Sequence, residues 1–158
     1  MKILGNSKPA AAAGTLRVLG ALLSYPDAQR RAWLPEMARI LRGERAVPAA
    51  RLAELDALID KLRVADPFDV EAEYVQIFDR GRGTSLHLFE HVHGDSRDRG
   101  PAMIDLTKTY ESAGLYLGES ELPDYLPVVL EFASTLPFAE ARAFLGETTH
   151  ILNAIFSA

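Results

Sequence analysis

Apolar residues recur along this chain with a helical period almost from end to end. Leu16, Leu19, Leu22 and Leu23 fall at i, i+3, i+6 and i+7, which predicts a helix from Thr15 that Ser24-Tyr25-Pro26-Asp27 stops. A second helix, over about 27–42, carries Trp33, Leu34, Met37, Ile40 and Leu41; Pro35 inside it predicts a kink or a late start, and Gly43 ends it. The third, over about 48–64, lines up Leu52, Leu55, Leu58 or Ile59, and Leu62. Asp66-Pro67 reads as a cap and first helical residue, opening a helix to Phe78 with Phe68, Tyr74, Ile77 and Phe78 inward. Pro101 opens a helix through about Ala113 with Met103, Leu106 and Tyr110 on one face, and Gly114 closes it. Glu121-Leu122-Pro123-Asp124 predicts a turn and a cap for a helix to Leu136, with Leu126, Val129, Leu130 and Ala133 inward. Pro137 starts a further helical piece, and the apolar segment from His150 to Phe156 reads as cut short. No stretch alternates with period two. The expected fold is all-α, a single-domain helical bundle over 14–158 after a flexible lead-in at 1–13.

One stretch departs from this plain pattern. Between Tyr74 and Met103 two polar turns, Asp79 to Ser85 and Gly94 to Gly100, flank a short apolar segment, Leu86 to His93. A helix connection needs only a few residues. Arg80, Arg82, Arg97 and Arg99 alternate here with Asp79, Asp95 and Asp98, and glycines punctuate both turns. The pattern predicts defined turns pinned by Asp–Arg pairs, with Asp79, Arg80, Arg97 and Asp98 stabilising the fold.

Composition narrows the function classes. A chain of 158 residues, 48% hydrophobic and 25% charged, is an ordinary globular domain, and its net charge of -5 disfavours nucleic acid or an anionic membrane as partner. The absence of cysteine excludes disulfides, thiolate metal sites and a cysteine nucleophile in this chain. Gly5 to Pro9 interrupt the apolar start before a signal-peptide core forms, and no apolar run approaches the roughly 18 residues of a membrane span. A cytoplasmic protein is expected.

Three constellations carry candidate chemistry. His87-Leu88-Phe89-Glu90-His91 spells H-x-x-E-H, and on a helix His87 and His91 would share a face as zinc ligands, yet the motif lacks a third ligand. Histidines hydrogen-bonded at a core edge are the plainer reading. The four arginines could cradle a phosphate, although the interleaved aspartates largely cancel their charge and no GK[ST] follows the glycines. Aromatic rings at Tyr74, Phe78, Phe89 and Tyr110 are mostly core; any left exposed beside the turns would suit an amphipathic peptide helix.

From Phe78-Asp79-Arg80-Gly81-Arg82-Gly83-Thr84-Ser85-Leu86, through Phe89-Glu90-His91-Val92-His93-Gly94, to Ser96-Arg97-Asp98-Arg99-Gly100, the chain closely resembles the NarJ-type chaperones. These are the nitrate reductase delta subunits, or molybdenum cofactor assembly chaperones, of the wider TorD/DmsD-like group. Leu23 to Asp27, Asp66-Pro67 and Glu121 to Pro127 extend the resemblance over nearly the whole chain. It implies an all-helical, non-enzymatic cytoplasmic chaperone with no permanently bound cofactor. Such a chaperone binds the amino-terminal peptide of the catalytic (alpha) subunit of a respiratory nitrate reductase until molybdenum cofactor and Fe–S clusters are inserted. Its contact with the membrane complex is transient and indirect. The implied functional surface comprises Tyr74, Phe78, Asp79, Arg80, Arg82, Phe89, Glu90, His91, His93, Arg97, Asp98, Arg99, Asp124 and Tyr125. Two positions depart from the family pattern: Tyr125 stands where E-x-P-D-H has its histidine, and His87 stands where an aliphatic residue is expected. The chain also stops earlier than many relatives. The alternatives are an assembly factor that itself binds molybdenum cofactor or a guanine nucleotide through the arginine turns, and a hydrolase acting through His87, Glu90 and His91.

Overall fold

The computed structural model describes residues 11–158, so most of the expected lead-in lies outside the described residues. Helices α1 (Ala13–Leu22), α2 (Ala28–Ala32), α3 (Leu34–Glu44) and α4 (Ala49–Val64) form the first half. Helix α5 (Pro67–Tyr74) runs directly into a π-helical turn, Val75–Asp79. After the two polar turns come α6 (Leu88–Val92), α7 (Arg99–Ser112), α8 (Leu126–Thr135), α9 (Phe138–Glu147) and α10 (Thr149–Phe156). The expected all-α bundle is what forms. Among the described residues β pairing is limited to one antiparallel bridge, His87 with Tyr125.

Helix α8 is the centre of the packing. Leu126, Pro127, Val128, Val129, Leu130, Phe132, Ala133 and Ser134 are all buried, so this helix has almost no solvent face. One side of it packs on α1, where Gly20 allows the closest approach: a Cβ there would lie 3.2 Å from the Pro127 carbonyl oxygen. Another side joins Tyr110 of α7 and Phe144 of α9 around Val128 and Phe132. A third meets Leu86, Leu88 and Ile151 through Leu126, Val129 and Leu130. A separate cluster of Val18, Leu34, Met37, Ala38, Leu41 and Ile59 ties α1 to α3 and α4.

Several local expectations are met and others corrected. Asp27 caps α2 by accepting from the Arg30 amide at 2.8 Å, and Asp66 caps α5 by accepting from Phe68 at 2.9 Å. Of the kink or late start expected at Pro35, the late start forms: α2 ends before Trp33 and α3 begins at Leu34 with Pro35 in its first turn, where a missing amide donor costs nothing. Ile59 rather than Leu58 takes the inward position on α4. Phe68 is 81% exposed and Ile77 42%, contrary to their expected burial. In the first turn of α5 Val70 supplies the buried contact instead, and the π turn's wider winding takes Ile77 out of the α-helical register.

Helix α3 does not end at Gly43. It continues to Glu44 and closes at Arg45, which adopts a left-handed φ of 52°. The extra residue has a role in the packing. Helix α1 begins without a capping side chain of its own, and Glu44 supplies one from 30 residues away by accepting from the Gly14 amide at 2.8 Å and the Thr15 amide at 2.6 Å. Partial burial opposes the Glu44 charge, but its contacts with Thr15 and the Gly14 amide, with Arg17 nearby, outweigh that and lower its pKa. A lowered carboxyl contributes stability that is present above its unfolded pKa and lost as pH falls through the folded value. Glu44→Ala should therefore cost about 1 kcal/mol in urea unfolding near neutral pH. The difference from the parent should shrink on acidification below pH ~4.

Candidate functional site

The segment after the first polar turn is hung on the entry to α8. The Leu88 amide donates to the Asp124 carbonyl at 3.0 Å, and the Leu126 amide donates to the Leu86 carbonyl at 2.8 Å. These bonds place His87 and Tyr125 side by side, their rings stacked at 5.2 Å. Asp124, fully buried, does not cap its own helix as expected. Its Oδ2 accepts from the Phe89 amide at 3.1 Å and so caps α6 across 35 residues. Its Oδ1 faces His87 Nδ1 at 3.6 Å, an ion-pair distance, and neither atom has a hydrogen-bond partner among the described residues.

The Asp124 carboxylate raises the His87 pKa above the ordinary imidazole value, against the opposing effect of burial; Glu90 adds to the rise and Arg99 subtracts from it. Across the junction, Tyr74 donates from its hydroxyl to the Leu23 carbonyl at 2.9 Å, leaving its oxygen to accept from the Tyr125 hydroxyl at 3.1 Å. Burial and the Tyr125 contact push the Tyr74 phenol well above its usual range.

These rings line a cleft of about 730 Å³. Its walls include Arg17, Gly20 and Ala21 of α1, Tyr25 and Arg30, Tyr74, Phe78 and Asp79, Leu86 and His87, and Glu121, Tyr125 and Glu131. Of the expected surface, then, Tyr74, Phe78, Asp79 and Tyr125 come together in one concavity, with Asp124 buried against His87. Tyr25 and Arg17 belong to the same cleft; in the sequence Tyr25 reads only as part of a helix stop, and nothing in the helical pattern singles out Arg17. A second, smaller and mainly apolar groove of about 460 Å³ lies between α1, α9 and α10, lined by Leu16, Phe138, Leu145 and Leu152 among others.

The remaining expected residues lie outside the cleft lining. Arg82 and Asp95 tie the two polar turns at 3.3 Å, and Arg99 lies 3.7 Å from Glu90. Phe89 meets His93 edge to face at 5.4 Å. Arg80, Arg97, Asp79 and Asp98 are exposed and make no ion pair among the described residues, which corrects the expected stabilising set. The pairing that does form, Arg82 with Asp95, is largely solvated and contributes about 0–1 kcal/mol. The zinc arrangement fails on geometry: His87 precedes α6 in an extended conformation, so it does not share a helical face with His91, whose Nε2 donates to the Ser85 carbonyl at 2.8 Å.

Comparison with known proteins decides the family. Residues 44–156 match the family model described as nitrate reductase delta subunit. The chain belongs to the nitrate reductase delta subunit family. Its similarity to the nitrate reductase molybdenum cofactor assembly chaperone NarJ of Escherichia coli K12 is 45% identity over 143 residues, covering 90% of this chain and 60% of NarJ. To NarW of the same organism it is 42% over 137 residues, covering 87% and 56%. The chain thus spans about 60% of the length of these relatives. A crystal structure from Archaeoglobus fulgidus, described as a redox enzyme maturation protein, has the same fold at a TM-score of 0.62 and 21% identity, covering 94% of this chain and 87% of that one. No helix among the described residues of this delta-subunit family member is long and apolar enough to cross a membrane.

The buried Asp124 junction generates two linked expectations. Asp124→Ala leaves the Phe89 amide without its acceptor and His87 without its charge partner, and should cost about 2 kcal/mol by urea unfolding. The raised His87 pKa means that its stabilising contribution is complete below the unfolded imidazole value and is lost as pH rises through the folded one. Stability measured between about pH 6 and about pH 8.5 should fall more in the parent than in His87→Gln.

Proposed function

We propose that this protein is a non-catalytic, cytoplasmic assembly chaperone for a nitrate reductase. In this reading it binds the amino-terminal segment of the catalytic subunit in the cleft beside Tyr125 and holds that subunit while molybdenum cofactor and Fe–S clusters are inserted. The family membership and the similarity to a chaperone of that name support the assignment to reductase assembly. The observation that carries the location is the cleft itself, in which Tyr74, Phe78 and Tyr125 offer aromatic surface beside carboxylates.

Size sets how much peptide the cleft can take. One turn of helix with its side chains occupies roughly 500 Å³, so about 730 Å³ holds little more than one turn. Affinity would then come from two or three anchors at i, i+3 and i+4, with apolar burial supplying most of it and the acidic surplus favouring encounter.

Calorimetry with a synthetic peptide of the reductase's amino-terminal sequence tests this reading. Micromolar binding is expected, weakening only modestly with salt. Tyr125→Ala, which also releases Tyr74, should lower affinity by about tenfold, while Phe138→Ala in the apolar groove should leave it unchanged. The reverse pattern would put the peptide in the groove, and no heat from the parent protein would end the peptide-binding reading.

A further inference from the structure

The cleft carries more specific chemistry than apolar anchoring requires. Tyr25 and Tyr74 meet edge to face at 5.6 Å, and Tyr74 lies 4.9 Å from Phe78, so three rings form one continuous wall. The Tyr74 ring is fixed by its two hydroxyl contacts, to the Leu23 carbonyl and Tyr125. Tyr25 is fixed by donating to Glu71 at 2.9 Å. Rigid rings of this kind present their negative faces at no further ordering cost.

The charges in the same cleft are unevenly committed. Arg30 is held by Asp27 at 2.9 Å, and Arg17 donates through Nε to Ser134 at 3.1 Å. Asp79 and Glu131 line the cleft with no side-chain partner among the described residues, and Glu121 makes only a local bond to the Gly118 amide. The Tyr25 phenol is raised mainly by its bond to Glu71 and the Tyr74 phenol mainly by burial, and Asp79 adds a smaller share to both from its place in the same cleft lining. An uncommitted carboxylate beside ring faces is a poor place for an anion and a good one for a cation. A guanidinium can stack on a ring while its N–H groups reach the carboxylate.

We propose that Tyr25, Tyr74 and Asp79, with Glu131 also lining the cleft, form a subsite for one cationic side chain, an arginine in particular, of the bound segment. This deepens the peptide-binding reading and rests on it. Asp79 is the specificity-determining residue: it distinguishes a charged side chain from a neutral one of the same shape. The tyrosines supply the surface common to both.

Two peptides and one variant test the subsite. The probes are the synthetic amino-terminal peptide of the reductase and a copy whose arginines are replaced by citrulline, which keeps the planar head group without the charge. On the parent protein the citrulline copy should bind roughly tenfold more weakly. Asp79→Asn changes an exposed residue, and its fold can be checked by circular dichroism; it should bind the two peptides with nearly equal affinity, at the level of the citrulline copy on the parent. Equal binding of both peptides by the parent, or a full tenfold difference retained in Asp79→Asn, overturns the subsite and leaves peptide binding intact. No binding of either peptide overturns both.

Discussion

The crossing between residues 86–89 and 124–126 is the constraint on which the rest of the site depends. Two backbone hydrogen bonds and one buried carboxylate join a loop-borne segment to the first turn of the most buried helix. Asp124 is fully enclosed, so its oxygens must be used within the protein or left at a cost. One oxygen completes the amino terminus of α6; the other faces His87. A single side chain therefore fixes where α6 starts and which way the His87 ring turns. Through the His87–Tyr125 pairing it also fixes the floor of the cleft.

Glu44 does for α1 what Asp124 does for α6. In both cases a helix that lacks its own cap borrows a carboxylate from a distant element. Such a contact satisfies orphan amides and at the same time sets the distance between two elements, which a local cap cannot do. The Glu44 cap holds the start of α1, the helix whose carboxyl-terminal half forms one wall of the cleft, and the Asp124 cap holds the segment that carries His87 into the same cleft. Packing then makes the arrangement specific: α1 can approach α8 at Gly20 only because no side chain intervenes.

Much of the fold is legible in the sequence because helical periodicity is a local signal. The stripe on α4, the Asp27 and Asp66 caps and the inward residues of α8 follow directly from spacing. The Glu44 and Asp124 caps do not, since each bond spans 29 residues or more and leaves no local trace. The Asp/Arg/Gly turns around 79–85 and 94–100 stand out in the sequence, yet their charges are mostly solvated. An alternation of Asp and Arg specifies charge balance without specifying burial. Tyr25 shows the same limit from the other side: its neighbours Ser24 and Pro26 read as a helix stop, and only the tertiary fold brings its ring to Tyr74. Four of the expected surface residues line the cleft because three of them, Tyr74, Phe78 and Asp79, share the end of one helical run.

The proposed binding place for the reductase segment is the cleft floored by the Asp124 junction. Amide hydrogen exchange, followed by mass spectrometry with and without the amino-terminal peptide, measures this across the whole chain at once. Slowed exchange on binding is predicted in the two stretches 74–79 and 123–128, with the turn at 94–98 unchanged. Protection confined to that turn, or to α9 and α10 around the apolar groove, would place the segment outside the cleft.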